Sequence, residues 1–154
     1  MDELELRRAC LDLMASAPEA YLATIGSDGY PHIRAMLNLR YRTRYPALVE
    51  VFAPHDDDFL LHFTTNTSSA KMRQIAANPA VAVYFCDAEE FHGLQFQGRV
   101  EVVLDRKITD RLWQTSWERY YPGGPTDPDY AILRLRPARA SGWFRGARFG
   151  IALG

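Results

Sequence analysis

Cysteine is scarce in this sequence. Cys10 and Cys86 are the only two among 154 residues, and no second thiol lies near either. A disulfide framework and a thiolate zinc site are therefore excluded as organising principles. Cys86 falls in an apolar run, where a cysteine serves as a small buried hydrophobe. Long hydrophobic runs are also missing: no segment approaches the ~20 apolar residues that cross a bilayer. The acidic start Met1-Asp2-Glu3-Leu4-Glu5 holds no hydrophobic signal core. A surplus of one charge sign is absent too. Eighteen basic residues stand against nineteen acidic ones, a net charge of −1, so no strong field favours nucleic acid or an anionic membrane. The expectation is a cytoplasmic protein engaging neither, without internal repeats or low-complexity tracts.

What is present is the composition of a folded chain. Hydrophobic residues make up 47% and charged residues 24%, and the length suits one domain over residues 1–154 with a real core. Leu6, Cys10, Leu13 and Ala17 recur at helical spacing, and Pro18 ends that helix near Ala15 or Ser16. Tyr21 to Ile25 is β-prone, and Ser27-Asp28-Gly29 supplies a hairpin turn. The next run alternates, with Ile33, Ala35, Leu37 and Leu39 on one face. His32, Arg34, Met36, Asn38 and Arg40 occupy the other. One face must enter a core; the polar one is either solvated or a wall of an anionic site.

A loop over Arg42 to Asp58 follows. Its run His55-Asp56-Asp57-Asp58 reads as solvated rather than metal-binding, because consecutive side chains of an extended segment diverge. Phe59 to Thr64 reads as a buried strand, and a short helix runs from Ser68 or Ser69 to Ala77, ended by Asn78-Pro79. Ala80 to Cys86 is apolar throughout and reads as a strand buried on both faces. Another long strand spans His92 to Leu104, with Gly98 marking a bulge or a close approach. A helix over Arg106 to Tyr120 and strands near Tyr130 to Leu135 and Ala140 to Phe144 complete the chain. Six or seven strands joined by short helices imply a mainly β, antiparallel barrel.

Chemistry concentrates in Thr64-Thr65-Asn66-Thr67-Ser68-Ser69-Ala70-Lys71. A strand end, several hydroxyls and the free N–H groups of a helix start meet there, which suits a phosphate. Thr65 and Ser69 offer hydroxyl donors, Lys71 offers charge, and Arg34 offers a bidentate contact. Spacing alone leaves two readings open, an ordinary helix cap and an anion cradle. The glycines of a P-loop are missing. His32, His62 and His92 have no visible partner in the sequence and read as structural or surface residues.

The order of these segments carries a family likeness. Arg34-Ala35-Met36-Leu37, then Phe63-Thr64-Thr65-Asn66 with Ser69 and Lys71, then Asn78-Pro79 and the Gly98-Arg99-Val100-Glu101 strand resemble the pyridoxamine 5′-phosphate oxidase-like family. Leu112-Trp113, Trp117, Tyr120-Tyr121-Pro122-Gly123-Gly124, Asp127-Pro128 and Ser141-Gly142-Trp143-Phe144 are similar to its general stress protein 26 group. The likeness runs from Pro18 to Phe144. It implies a homodimeric split barrel with FMN at the subunit interface. Arg34, Ser69 and Lys71 would hold the phosphate; Thr64, Thr65 and the backbone of Ala35, Met36 and Leu37 would flank the ribityl chain and ring. Gln95 would meet the ring from a neighbouring strand, and Trp143 would cover it from the second subunit. Two departures bear on activity. Ala70 stands where the true oxidases carry a second basic residue, and the end Arg145 to Gly154 lacks their arginine-and-histidine substrate motif. Oxidation of pyridoxamine phosphate is not expected. The resemblance points to a flavin-dependent oxidoreductase of unspecified substrate and redox partner. The other readings are a non-catalytic flavin-binding stress protein and a barrel holding a deazaflavin or heme.

Overall fold

The computed structural model describes residues 1–154. It opens with helix α1, Glu3–Ser16, whose Asp2 cap accepts a hydrogen bond from the Glu5 amide. Glu3 and Glu5 in its first turn complement the helix dipole. Cys10, Leu13 and Met14 bury one face. Its far end is tied down by a buried amide: Asn38 donates to the carbonyls of Met14 and Ala17 at 2.7 and 2.8 Å.

Strands β1 (Glu19–Ile25) and β2 (Pro31–Leu37) form an antiparallel hairpin. Gly29 turns it with φ 80°, a conformation that favours glycine. After the short helix α2 (Val49–Phe52) come β3 (Leu61–Asn66), α3 (Ala70–Ala77), β4 (Ala80–Asp87) and β5 (His92–Val103). Helix α4 (Arg106–Leu112) and strands β6 (Tyr130–Leu135), β7 (Arg139–Phe144) and β8 (Ala147–Ala152) follow.

Every strand pair is antiparallel, in the order β2-β1-β4-β5-β6-β3, with β7 on β5 and β8 on β7. The long β5 joins the two halves: Gly93 to Gln97 pair with β7, and Val100 to Val103 pair with β6. Gly98 sits between those two stretches. A Cβ there would stand 2.9 Å from Leu135 Cδ1 and 3.2 Å from the Arg136 carbonyl, so the close approach requires glycine.

The sheet curls until β2 and β3 come side by side, yet no ladder joins them. That gap is the split in the barrel. One core lies inside the curl, with Leu22, Phe63, Val83, Phe85, Leu94, Phe96 and Leu133 packed under α1. A second core, half of it aromatic, lies outside β3 and β6, where Tyr45, Phe52, Trp117, Tyr121 and Tyr130 gather under α2, α4 and their loops.

Several elements differ from their sequence patterns, and tertiary packing explains each. There are eight strands rather than six or seven, because Arg145 and Gly146 take positive φ and turn the chain into β8. In β2 the faces are exchanged. Met36 and Arg34 point inward, while Ile33 is 70% exposed, because α3 supplies Arg34 with polar partners inside. Strand β4 is not buried on both faces: Tyr84 and Cys86 are exposed, since nothing in this chain covers the outer face of the sheet. The strand expected from Phe59 begins at Leu61, because Phe59 adopts φ 55° to bury its ring. Helix α4 stops at Leu112. Trp113 takes ψ 135° and sets its ring edge-on to Trp117 and Tyr130, so aromatic packing overrides helical continuity. The 42–58 loop winds into short helical turns around Pro46 and Pro54.

Candidate functional site: a cationic cleft in the split

A cleft of about 340 Å³ opens between β2 and β3, within the usual size range of ligand pockets. Ala35, Met36 and Leu37 form one wall. Thr64, Thr65 and Asn66 form the other, and Lys71 lies at one end. Both walls are strand edges without ladder partners facing each other, so their outward N–H and C=O groups are available to a ligand.

The polar end is built by β3 and α3. Lys71 Nζ donates to Thr65 Oγ1 and to Ser69 Oγ, both at 3.1 Å, and the two hydroxyl oxygens lie 3.5 Å apart. Ser69 occupies the N-cap position of α3, but its side chain makes no capping bond. The positive end of the helix is therefore without a side-chain acceptor, and its first turn carries Lys71 to the cleft. No carboxylate lies within ion-pairing distance of Lys71. Burial, and then the Arg34 charge, hold its pKa below the usual lysine value.

Arg34 reaches the same region from β2. Its Nη1 donates to Thr24 Oγ1 at 2.7 Å and to the Leu22 and His32 carbonyls, and its Nη2 donates to Gln74 of α3 at 3.1 Å. These acceptors are all neutral. Burial lowers its pKa. Two cations thus share a partly desolvated corner with no carboxylate in ion-pair contact with either, Asp129 acting on Lys71 only from beyond that distance, and such a corner favours an anion.

Asp129 fixes the loop between β3 and α3. One carboxylate oxygen accepts from Asn66 Nδ2 at 2.6 Å; the other accepts from Thr67 Oγ1 and from the Ser68 amide, both at 3.0 Å. These hydrogen bonds, Asn66 first, hold its pKa at about 2. Sequence reasoning did not single out Asp129, Gln74 or the cleft-lining Tyr120 and Tyr121 as site residues. Asp127-Pro128 marked a loop there, but no local pattern announces a partner 63 residues away.

Of the residues singled out in the sequence, Ala35, Met36, Leu37, Thr64, Thr65 and Lys71 line this one cleft, with Ser69 bonded to Lys71 and Arg34 behind them. Gln95 and Trp143 do not line it. Gln95 pairs across the sheet with Tyr84 and Ser141, and Trp143 pairs with Gly93 and Arg148. Trp143 is 47% exposed.

Residues 6–144 match the family described as pyridoxamine 5′-phosphate oxidase. A pyridoxine/pyridoxamine 5′-phosphate oxidase of Pseudomonas paraeruginosa is 26% identical over 152 residues, covering 79% of this chain and 64% of its own length. The chain thus spans a little under two thirds of that curated relative. Among solved structures, a Clostridium acetobutylicum protein related to general stress protein 26 of B. subtilis is 27% identical, with a TM-score of 0.80. It covers 99% of this chain, and the match covers 97% of it. Its pyridoxinephosphate oxidase-family barrel matches the curled antiparallel sheet described above. An F420 reductase is 28% identical over 84% of this chain and 94% of its own, with a TM-score of 0.56.

Proposed function

This chain belongs to the pyridoxamine 5′-phosphate oxidase family, and from that premise we propose that it binds FMN in the β2–β3 cleft as a flavin-dependent oxidoreductase. One observation carries the reading: Lys71, with Thr65 and Ser69 at 3.1 Å and no carboxylate partner, closes one end of a cleft between open strand edges. That donor set fits a phosphate monoester. Lys71 and Arg34 supply charge, Thr65 and Ser69 supply hydroxyls, and the first turn of α3 supplies its dipole.

Bound flavin would supply the redox chemistry, while the protein binds and orients it. The edges of Ala35 to Leu37 and Thr64 to Asn66 offer backbone donors and acceptors to the rest of the cofactor. Asp129 keeps the phosphate loop in place by holding Asn66, Thr67 and Ser68. No residue of the cleft forms a general acid–base pair. With Ala70 beside Lys71 in place of a second basic residue, the substrate in this reading is one other than pyridoxamine phosphate.

The working unit in this reading is a homodimer. Tyr21, Ile33, Tyr84 and Trp143 are all large, exposed side chains on the outer sheet strands β1, β2, β4 and β7. Such an apolar face suits a second copy of the chain. It also accounts for Gln95 and Trp143 lying outside their own cleft, since a partner would bring them to it.

Absorbance of purified protein after FMN loading and desalting tests the ligand. A retained flavin band is expected; a colourless protein after loading at micromolar FMN overturns the reading. A deazaflavin is the second reading, favoured by the 28% identical F420 reductase; retention of F420 but not FMN would select it. Oxidation of NADH or NADPH by the loaded protein under oxygen separates an enzyme from a flavin-binding protein without turnover.

A further inference from the structure

A second cavity, about 360 Å³, lies between α4 and the β3–β6 pair and shares no residue with the flavin cleft. His62 of β3 lines it. The residue is only 7% exposed, and neither ring nitrogen has a hydrogen-bond partner in the protein. A buried imidazole without partners is costly, and a polar group in that state marks a place where something else binds.

The rim explains what that something is. Helix α4 places Lys107 and Arg111 on the cavity at helical spacing, and neither makes an ion pair. Arg134 and Arg136 follow on and just beyond β6, each held by a carboxylate: Glu101 at 2.8 Å and Asp58 at 3.5 Å. His55 also pairs with Asp58, at 3.2 Å. The local charge is positive by the two unpaired α4 cations. Apolar side chains, among them Phe52, Leu60 and Leu112, form the remaining wall. Burial first, then the surrounding cations Arg134, His55, Arg136 and Arg40, push the His62 pKa down to about 4. The ring is thus neutral at pH 7, with one nitrogen free to donate and the other to accept.

We propose that this cavity binds a small organic dianion, a phosphomonoester or a dicarboxylate, with its charge on Lys107 and Arg111 and a hydrogen bond from the His62 ring. The apolar wall accommodates the body of such a molecule while the cationic rim takes its head. Inorganic phosphate and succinate represent the two chemistries.

Nitrogen-15 NMR of the full-length protein at pH 7 reads the His62 ring directly during titration with each probe. Saturable movement of the His62 nitrogens is expected with at least one of them. Phosphate alone moving the ring identifies phosphomonoesters, and succinate alone identifies dicarboxylates. The double variant Lys107→Ala/Arg111→Ala changes two exposed side chains and should bind the active probe at least tenfold more weakly. Lys71→Ala should leave this titration unchanged. The proposal is overturned if neither probe moves the ring, if the double variant binds as the wild type does, or if Lys71→Ala abolishes the response. The last result would place the anion in the flavin cleft. Failure of FMN to bind leaves this test intact.

Discussion

Asn66 donates its side-chain amide to Asp129 at 2.6 Å, linking the end of β3 to the residue that precedes β6. Through the same carboxylate, Thr67 and Ser68 are held in the loop between β3 and α3. Asp129→Ala removes a negative charge from the neighbourhood of Lys71, so electrostatics alone would tighten FMN binding. The structure predicts the opposite, a weakening, because the loop carrying Ser69 loses its anchor. Fluorescence titration of FMN decides between them. The anchor also has a pH signature. Its pKa lies below the usual 3.8, at about 2, so the ionised carboxylate's contribution is full above about 3.8 and is lost as pH falls toward 2.

Lys71→Ala should weaken FMN about 10- to 100-fold, the loss of one or two charge-assisted hydrogen bonds at about 1.5–3 kcal/mol. Riboflavin, which lacks the phosphate, should bind variant and wild type alike. Parallel titrations of both flavins check this, and equal losses would remove the phosphate from the Lys71 end.

His62 should titrate far below an ordinary histidine, near the value of about 4 that its buried, cation-rimmed site imposes. The unfolded chain takes up this proton around pH 6.5 and the folded protein does not. Stability is therefore full above about 6.5 and declines as pH falls toward 4. A dianion in the cavity should raise the midpoint by neutralising the cations around the ring. An imidazole NMR titration that centres near 6.5 in the free protein would contradict the burial argument.

Asn38→Ala should lower unfolding free energy by about 1–3 kcal/mol, since it leaves the Met14 and Ala17 carbonyls without their buried donor. Urea denaturation followed by circular dichroism measures it. Asn38 and Ala17 adjoin Leu37 and Pro18 of the β2–β3 cleft, so FMN affinity should weaken together with stability.

Ile33→Asp places a charge on an outer face where the native side chain is 70% exposed. The monomer's fold should survive, and sedimentation should show a shift from dimer to monomer together with weaker FMN binding. A variant that sediments as the wild type does would mean that this face is not the contact.

The sequence by itself determined the local events. Periodicity identified α1, the β1–β2 hairpin and the long β5. Turn and stop residues such as Gly29 and Asn78-Pro79 set their ends within a few positions. The hydroxyl-rich stretch before Lys71 was legible because a strand end, hydroxyls and a helix start are contiguous in the chain. Tertiary structure decided what depends on residues far apart. Which face of β2 turned inward was settled by Gln74 on α3, which offers Arg34 an acceptor that hydrophobic alternation cannot foresee. Where α4 ended was settled by Trp113 meeting Tyr130. Neither the bond from Asn66 to Asp129 nor the cations around His62 has a local signature. Each exists only because antiparallel pairing lays β3 against β6, in a register that the curled sheet imposes.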